Sequence, residues 1–338
     1  MTQRVLVARL DSDGDVLMAG PAIRAVAASG ARVTLLCGPA GRQAAELLPG
    51  SDELVVFAAP WVGYRPPSAD PAGIGDLVAK LRARRLDSAL ILTSYHQSAL
   101  PLALLLRLAG VGRIAATSED YPGSLLDIRH PYDGTAHEVD RSLALVAAAG
   151  YPLPPDDDGR LAVRGPLPPV SHLVPAGPYV VVHPGASVPA RAWPAGHCAA
   201  AAELLAGRGT EVVVTGGPAE RGLTRQVAGG RATDLGGRTT FAELAAVLAG
   251  AKAVVVGNTG PAHLAAAVAT PVVSLFAPVV PAAQWGPYSV PTVVLGDQNA
   301  PCRGSRARTC PVEGHPCLSA VTPEQVADAI ERLAAVPA

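Results

Sequence analysis

The chain has 338 residues, of which 49% are hydrophobic and 16% are charged. A chain of this length is expected to form about two domains of roughly 150 residues each, and its hydrophobic content excludes an intrinsically disordered protein. The 27 basic and 28 acidic residues give a net charge of -1, which argues against a nucleic-acid-binding protein that relies on a broad basic surface.

The sequence also indicates where the protein resides. Its most apolar segment, residues 264–283, carries no charge but contains Pro271, Pro278 and Pro281, which would interrupt a membrane-spanning helix. The apolar run near the N-terminus is too short for a secretion signal, and five cysteines do not form a paired disulfide framework. We therefore expect a cytoplasmic protein with at most a peripheral contact with the membrane.

The first half of the chain alternates short apolar runs with longer helical patterns. Strands are predicted at residues 4–9, 32–37, 53–57, 88–93 and 113–117. Helices are predicted at residues 16–28, 39–48, 74–84, 99–108 and 137–149. Strands separated by helices of this length form βαβ units, so this half is predicted to hold a parallel, Rossmann-like sheet.

The second half repeats this alternation after a segment at residues 151–177 that is rich in Pro, Asp and Gly, a composition typical of a linker. Strands are predicted at residues 179–182, 211–215, 232–235, 253–256 and 272–276. Helices are predicted at residues 195–206, 219–228, 241–248, 261–268 and 322–334. The predicted domains are residues 1–165 and 170–321, followed by a C-terminal segment at 322–338. Such a pair of domains is expected to bind its ligand between them, at the carboxyl ends of the strands.

Three carboxylates, Asp11, Asp13 and Asp15, lie in the turn between the first strand and the first helix. They are open to two interpretations, because a helix N-terminus favours acidic caps and a general base is often a carboxylate in a cleft. A dinucleotide site is excluded, since the turn has no G-x-G-x-x-G pattern and its carboxylates would repel a pyrophosphate.

Three loops in the second half follow a predicted strand and precede a predicted helix. They are residues 183–194 (HPGASVPARAWP), 215–220 (TGGPAE) and 257–263 (GNTGPAH). Backbone N–H groups in such loops, together with Arg191, are suited to bind phosphate, although each loop is also compatible with an ordinary strand-to-helix turn. Glu220 is either a ribose ligand or a first-turn carboxylate, and His263 is either a core residue or a ligand contact.

Together these motifs resemble those of the heptosyltransferases of glycosyltransferase family 9. The matching segments are residues 14–17 (GDVL) with 21–23 (PAI), residues 137–141 (HEVDR), and the loops at 183–194, 216–220 and 258–263. The resemblance implies an α/β protein of the GT-B fold, with two Rossmann-like domains facing each other across a cleft. It assigns the acceptor to the N-terminal domain and the nucleotide sugar to the C-terminal domain, with a last helix that often returns to the N-terminal domain.

The resemblance further implies an inverting, metal-independent transfer of a heptose or related sugar from an ADP-activated donor to an acceptor hydroxyl. Asp15 matches the catalytic base of the family, and Ser12 and Asp13 are assigned to acceptor binding. The implied donor-binding residues are Gly185, Ser187, Arg191, Glu220, Asn258, Thr259, Gly260 and His263. No metal or other cofactor is implied.

Two departures from the family pattern affect the substrates. Arg191 stands where many members carry Lys, and Asn258 stands where Asp is frequent. The lipopolysaccharide acceptors of the family are anionic, and its acceptor domains are often basic, whereas this N-terminal half has no conspicuous basic run. The acceptor is therefore either a lipopolysaccharide core or a small molecule such as an aminocyclitol or nucleoside.

The alternative class is a GT-B protein that binds a nucleotide sugar without transferring it, being either catalytically idle or active on the sugar nucleotide itself. An intact Asp15 favours transfer, because an idle protein needs no base. Cys302, Cys310 and Cys317, with His315 nearby, form either a zinc site or a structural tail; the absence of a C-x-x-C pair from the sequence favours the structural interpretation.

Overall fold

The structure is a computed structural model that describes residues 2–95, 97–131 and 133–335. The chain divides into two compact units, Met1–Val163 and Arg164–Ala338, and the division falls inside the segment predicted as a linker. The first part of that segment is fixed to the first unit. Arg24 donates to both carboxylate oxygens of Asp157 at 2.7 Å, and Leu161 is buried.

The first unit is built on a parallel sheet of six strands. The strands are β1 (Arg4–Arg9), β2 (Arg32–Cys37), β3 (Glu53–Val56), β4 (Ser88–Ile91), β5 (Arg113–Thr117) and β6 (Ile128–His130). The helices are α1 (Asp13–Met18), α2 (Gly20–Ala28), α3 (Arg42–Leu47), α4 (Pro71–Ala83), α5 (Leu100–Leu108) and α6 (Glu138–Ala148). The strand order β3-β2-β1-β4-β5-β6 reverses direction between β1 and β4, the position at which doubly wound sheets bind ligands.

The second unit repeats this architecture. Its strands are β7 (Tyr179–His183), β8 (Glu211–Val214), β9 (Thr233–Asp234), β10 (Val254–Gly257), β11 (Val272–Leu275) and β12 (Thr292–Leu295). Its helices are α7 (Ala195–Gly207), α8 (Arg221–Ala228), α9 (Phe241–Ala249), α10 (Gly260–Ala267), α11 (Ala282–Trp285), α12 (Pro316–Ser319) and α13 (Pro323–Ala334). The strand order is β12-β11-β10-β7-β8-β9, so the reversal lies between β7 and β10.

The last helix, α13, belongs to the core of the second unit. It packs on α7 and against β11 and β12, and its residues Val326, Ile330 and Leu333 are buried with the apolar side chains of that unit. In the family that the motifs resemble, such a helix often returns to the N-terminal domain; here its apolar face packs in the core of the second unit. Across the described residues, no helix is both long and apolar enough to span a bilayer.

Most predicted elements are confirmed to within a few residues, and the differences have local causes. The helix predicted at 16–28 begins earlier, at Asp13, and consists of two helices. It is interrupted at Ala19, because Pro21 cannot donate the backbone hydrogen bond that would continue α1. The sequence analysis missed the edge strands β6 and β12. Each pairs on one side only and is partly exposed. β6 (IRH) has no apolar run, whereas β12 (TVVL) has a short β-branched run that was overlooked.

Candidate active site

One buried guanidinium holds three carboxylates together at the carboxyl end of β1. Arg9, the last residue of β1, is 1% exposed. Its Nε lies 2.8 Å from Asp11 Oδ2, and its Nη2 lies 3.1 Å from both Asp15 Oδ1 and Glu138 Oε2. Burial disfavours the charged guanidinium, but the three carboxylates outweigh burial and raise the pKa of Arg9. Arg9 therefore stays charged and fixes the three acidic side chains in place.

The motif at residues 137–141 supports this cluster from α6. Glu138, the first residue of α6, is buried and accepts a hydrogen bond from Arg141 as well as from Arg9. The guanidinium of Arg141 lies 4.6 Å from the ring centroid of Tyr95, a cation–π contact. Sequence reasoning matched this motif to the family but gave it no role. The i, i+3 spacing of Glu138 and Arg141 was the available signal for an internal ion pair.

Asp15 is the member of the cluster that reaches the surface. Its Oδ2 accepts from the Ser12 hydroxyl at 2.6 Å and from the Ser12 backbone N–H at 3.3 Å, so it caps the start of α1. Its Oδ1 faces Arg9, and the side chain is 19% exposed. The capping and base interpretations are thus compatible, since a carboxylate that is both anchored and accessible can accept a proton from a bound hydroxyl.

The other two carboxylates of the turn have different surroundings. Asp11 is buried and accepts from the Ser94 hydroxyl at 3.0 Å and from the Gln97 amide. Burial raises the pKa of Asp11 to about 6, with Arg9 opposing the rise and Asp15 adding to it. Asp13 accepts from the backbone N–H of Ala44 at 3.0 Å, and burial raises its pKa as well. The structure thus engages Asp13 with α3, and its predicted contact with an acceptor remains a prediction.

A polar pocket of about 140 Å³ adjoins the cluster at the ends of β4 and β5. Its lining is dominated by hydroxyl, amide and carboxylate groups: Thr93, Ser94, Gln97, Ser98, Thr117, Ser118, Glu119, Asp120 and Arg141. Ser94, Gln97 and Arg141 belong to both the pocket and the network around Arg9. A small polar molecule bound here would therefore lie beside the carboxylate cluster.

In the second unit, the three predicted phosphate loops follow the adjacent strands β10, β7 and β8. Gly257, the last residue of β10, lies directly against Arg191, because a Cβ built on Gly257 would stand 2.8 Å from the Arg191 carbonyl oxygen. Any larger residue at 257 would displace the turn that carries Arg191. The turn that carries Arg191 thus lies against the end of β10, three residues before α10 begins. That Arg191 and the start of α10 bind one phosphate group together remains a prediction.

The Cys-rich tail, the segment that carries Cys302, Cys310 and Cys317, also holds the turn before Arg191 in place through two hydrogen bonds to Ala190. The N–H of Ala190 donates to the Arg308 carbonyl at 2.9 Å, and His315 Nε2 donates to the Ala190 carbonyl at 3.1 Å. Cys302 and Cys317 are buried in the core of the unit. Within the described ranges, no group of three or more His, Cys, Asp or Glu side chains is arranged to hold a metal ion. Sequence reasoning did not predict that the tail supports the residue next to Arg191.

Glu220 occupies the junction of the first two loops. Its Oε2 accepts from the Gly217 N–H at 2.7 Å, which is the first-turn role considered for it. Gly185 packs on the same carboxylate, since a Cβ there would lie 1.9 Å from Glu220 Oε1. His183 is buried with Nδ1 3.0 Å from Thr215 Oγ1, and burial lowers its pKa although Glu220 opposes this. His183 is therefore neutral near pH 7.

The remaining predicted donor residues lie on the same loops. Asn258 is 4% exposed, and its Nδ2 has no hydrogen-bond partner in the part of the chain that the structure describes. Thr259 is the N-cap residue of α10, Gly260 is its first residue, and His263 is buried one turn further on. Ser187 is exposed on the loop that follows β7. A buried amide donor at a helix N-terminus is suited to an anionic or hydroxyl-bearing ligand.

Comparison with known proteins assigns the family. The sequence model of glycosyltransferase family 9 (heptosyltransferase) matches residues 74–315. The chain is 31% identical over 281 residues to lipopolysaccharide heptosyltransferase 1 of Pseudomonas aeruginosa, an alignment that covers 76% of this chain and 77% of the relative. The chain belongs to glycosyltransferase family 9. This family 9 protein is accordingly a glycosyltransferase, as the motifs predicted.

Solved structures confirm the fold class of the family 9 protein. The ADP-heptose lipopolysaccharide heptosyltransferase II of Escherichia coli superposes with a TM-score of 0.78 at 22% identity, covering 98% of each chain. The E. coli heptosyltransferase WaaC with ADP-2-deoxy-2-fluoro heptose gives a TM-score of 0.73 at 24% identity, covering 98% of this chain and 99% of that chain. The predicted α/β architecture of the GT-B class is therefore correct.

Proposed function

We propose that this glycosyltransferase moves a heptose from ADP-heptose to an acceptor hydroxyl with inversion at the anomeric carbon, and that Asp15 is the general base. The observation that carries the proposal is the anchored but accessible carboxylate of Asp15 at the end of β1. The choice of donor follows the relatives, because WaaC is described with ADP and with an ADP-heptose analogue.

The proposed reaction is a single displacement. Asp15 removes the proton of the acceptor hydroxyl as that oxygen forms a bond to the anomeric carbon. The bond from this carbon to the β-phosphate oxygen breaks, and ADP departs with the electron pair. Attack on the face opposite the leaving group inverts the anomeric configuration.

The leaving diphosphate requires positive charge and hydrogen-bond donors. Arg191, the backbone N–H groups at the start of α10 and the unpaired Nδ2 of Asn258 supply these groups within one set of adjacent loops. Donors that are already in position stabilise charge that develops in the transition state, and each contributes roughly 3 kcal/mol by analogy with oxyanion holes. We assign Gly185, Ser187, Glu220 and His263 to the same donor site, with Glu220 nearest the nucleoside.

The pocket beside Asp15 is the proposed acceptor site. Its lining adds two carboxylates, Glu119 and Asp120, to hydroxyl and amide groups, and its one guanidinium, that of Arg141, is already bonded to Glu138. Because the pocket has more negative than available positive charge, it favours a neutral or amino-bearing polyol, such as an aminocyclitol or nucleoside, over a strongly anionic acceptor. A lipopolysaccharide core remains the second candidate because the Pseudomonas aeruginosa relative bears that name.

A transfer assay tests the proposed function. ADP-heptose, UDP-glucose and GDP-mannose are each incubated with neutral polyols, aminocyclitols, nucleosides and a lipopolysaccharide core, and products are detected by mass spectrometry. We expect transfer from ADP-heptose and an anomeric configuration, read by NMR, opposite to that of the donor. A product of retained configuration would refute the inverting mechanism. Transfer only from another nucleotide sugar would refute ADP-heptose as the donor.

We expect the activity to be unchanged in excess EDTA. Arg191 and the N-terminus of α10 supply the positive electrostatic potential that a divalent cation would otherwise provide to the diphosphate. The measurement is the initial rate after dialysis against EDTA, with untreated enzyme as the control. A rate that falls and is restored by Mg²⁺ or Mn²⁺ would contradict the proposal.

We expect His315→Ala to weaken ADP binding moderately, by roughly two- to ten-fold, because it removes one hydrogen bond that holds the turn before Arg191. Calorimetric titration of ADP measures the change. Glu313→Ala is the matched control, since Glu313 is an exposed residue of the same tail. Equal ADP affinities in both variants would show that the tail does not position Arg191.

A further inference from the structure

Asp11 and Asp15 are linked by two shared partners. The guanidinium of Arg9 contacts both carboxylates, through Nε to Asp11 and through Nη2 to Asp15. The hydroxyl of Ser94 accepts from Arg9 Nη2 at 2.6 Å and lies 3.0 Å from Asp11 Oδ2 and 3.4 Å from Asp15 Oδ1. Since the hydroxyl carries a single proton, it can donate to only one of the two carboxylates at a time.

We infer that Asp11 is a positioning residue for the base: through Arg9 and Ser94 it sets how strongly Asp15 is neutralised and hence how readily Asp15 accepts the proton of the acceptor. The inference rests on the proposed role of Asp15. Asp11 itself is buried and need not touch a substrate, so its effect reaches the reaction through the groups that it shares with Asp15.

The charges around Asp11 determine the direction of the effect. Arg9 faces it from β1, Asp15 from α1, and the polar groups of Ser94 and Gln97 from the segment after β4; Glu138 and Arg141 lie beyond Arg9 on α6. While Asp11 is charged, one guanidinium is divided among three carboxylates, and Asp15 accepts a proton readily. Once Asp11 is protonated, Arg9 pairs more fully with Asp15, which then becomes a weaker base.

This coupling predicts a pH dependence with a definite sign. Burial raises the pKa of Asp11 to about 6, so turnover falls as the pH decreases through about 6. Asp11→Asn imitates the protonated residue and keeps an oxygen that can accept from Gln97. The variant should have a turnover above pH 7 that is roughly three- to ten-fold lower, with the acid inflection moved down by about one pH unit or more.

The first experiment is the pH profile of the turnover number at saturating substrates. Asp13→Asn is the matched control, because it removes an equal charge from the same turn without touching Arg9, and it should keep the inflection near pH 6. An Asp11→Asn enzyme that retains the inflection near pH 6, or an Asp13→Asn enzyme that loses it, would overturn the inference.

The second experiment needs no activity. The carboxyl ¹³C signals of aspartate-labelled protein are followed from pH 4 to pH 8, and the Asp11 signal is assigned by its loss in Asp11→Asn. Because the charge of Asp15 raises the pKa of Asp11, the midpoint of Asp11 should fall in Asp15→Asn. An unchanged midpoint would refute the coupling. If no nucleotide sugar supports transfer, the proposed function fails, and this titration alone decides whether the two carboxylates are coupled.

Discussion

We expect Asp15→Asn to lower the turnover of sugar transfer by about 100-fold or more while leaving the affinity for ADP nearly unchanged. An amide in place of the carboxylate keeps the size of the side chain and can still accept from Ser12, but it cannot take the proton of the acceptor hydroxyl. Steady-state rates give the loss of turnover, and calorimetric titration of ADP gives the affinity.

Asp13→Asn is the matched control for this result. Asp13 lies two positions away in the same turn and is bonded to the Ala44 N–H rather than to Arg9, so its loss should lower turnover far less. Full turnover in Asp15→Asn together with a severe loss in Asp13→Asn would show that the base is Asp13. Circular dichroism of both variants would establish that each folds as the wild type does.

The fold and the positions of the site loops were accessible from the sequence because each depends on local patterns. Alternating apolar strands and helical runs determine the two parallel sheets, and polar or Gly-rich turns after strands necessarily come to the same edge of a parallel sheet. These patterns place Asp15, Arg191 and Gly260 in the turns and helix starts that follow strands, whereas their roles came from the family resemblance and remain predictions. The edge strand β6 (IRH) lacked that local pattern and was missed, whereas β12 (TVVL) carried the pattern over only four residues and was overlooked.

The network around Asp15 was not accessible in the same way, because its members come from separate elements. Arg9 ends β1, Ser94 and Gln97 follow β4, and Glu138 begins α6. They meet because β1 pairs directly with β4 and because α6 presents its first turn to the end of β1. In the sequence, Arg9 is only a charge at the end of an apolar run, and nothing in its local pattern pairs it with Glu138, 129 residues away.

The support of the Arg191 turn by the Cys-rich tail was also not accessible from the sequence, because it depends on contacts between residues that are distant along the chain. Ala190 and His315 are separated by 125 residues, and their contact requires the chain to return to the end of β7 after completing the second sheet. The sequence analysis weighed the three cysteines of this tail as metal ligands or structural residues. The contacts of Arg308 and His315 show that the tail positions a loop of the candidate site.

Arg191→Ala should weaken ADP binding by about ten- to a hundred-fold and slow transfer as well. A charge-assisted contact between a guanidinium and a phosphate contributes roughly 1.5–3 kcal/mol, which corresponds to that range of dissociation constants. Gly260→Val should cause a comparable loss without any change of charge, because a branched side chain at the first residue of α10 blocks the approach of a phosphate to the backbone. Calorimetric titration of ADP into both variants measures the two losses, with Arg191→Lys as the variant that keeps the charge and loses the paired donors. Unchanged affinity in both Arg191→Ala and Gly260→Val would place the nucleotide elsewhere.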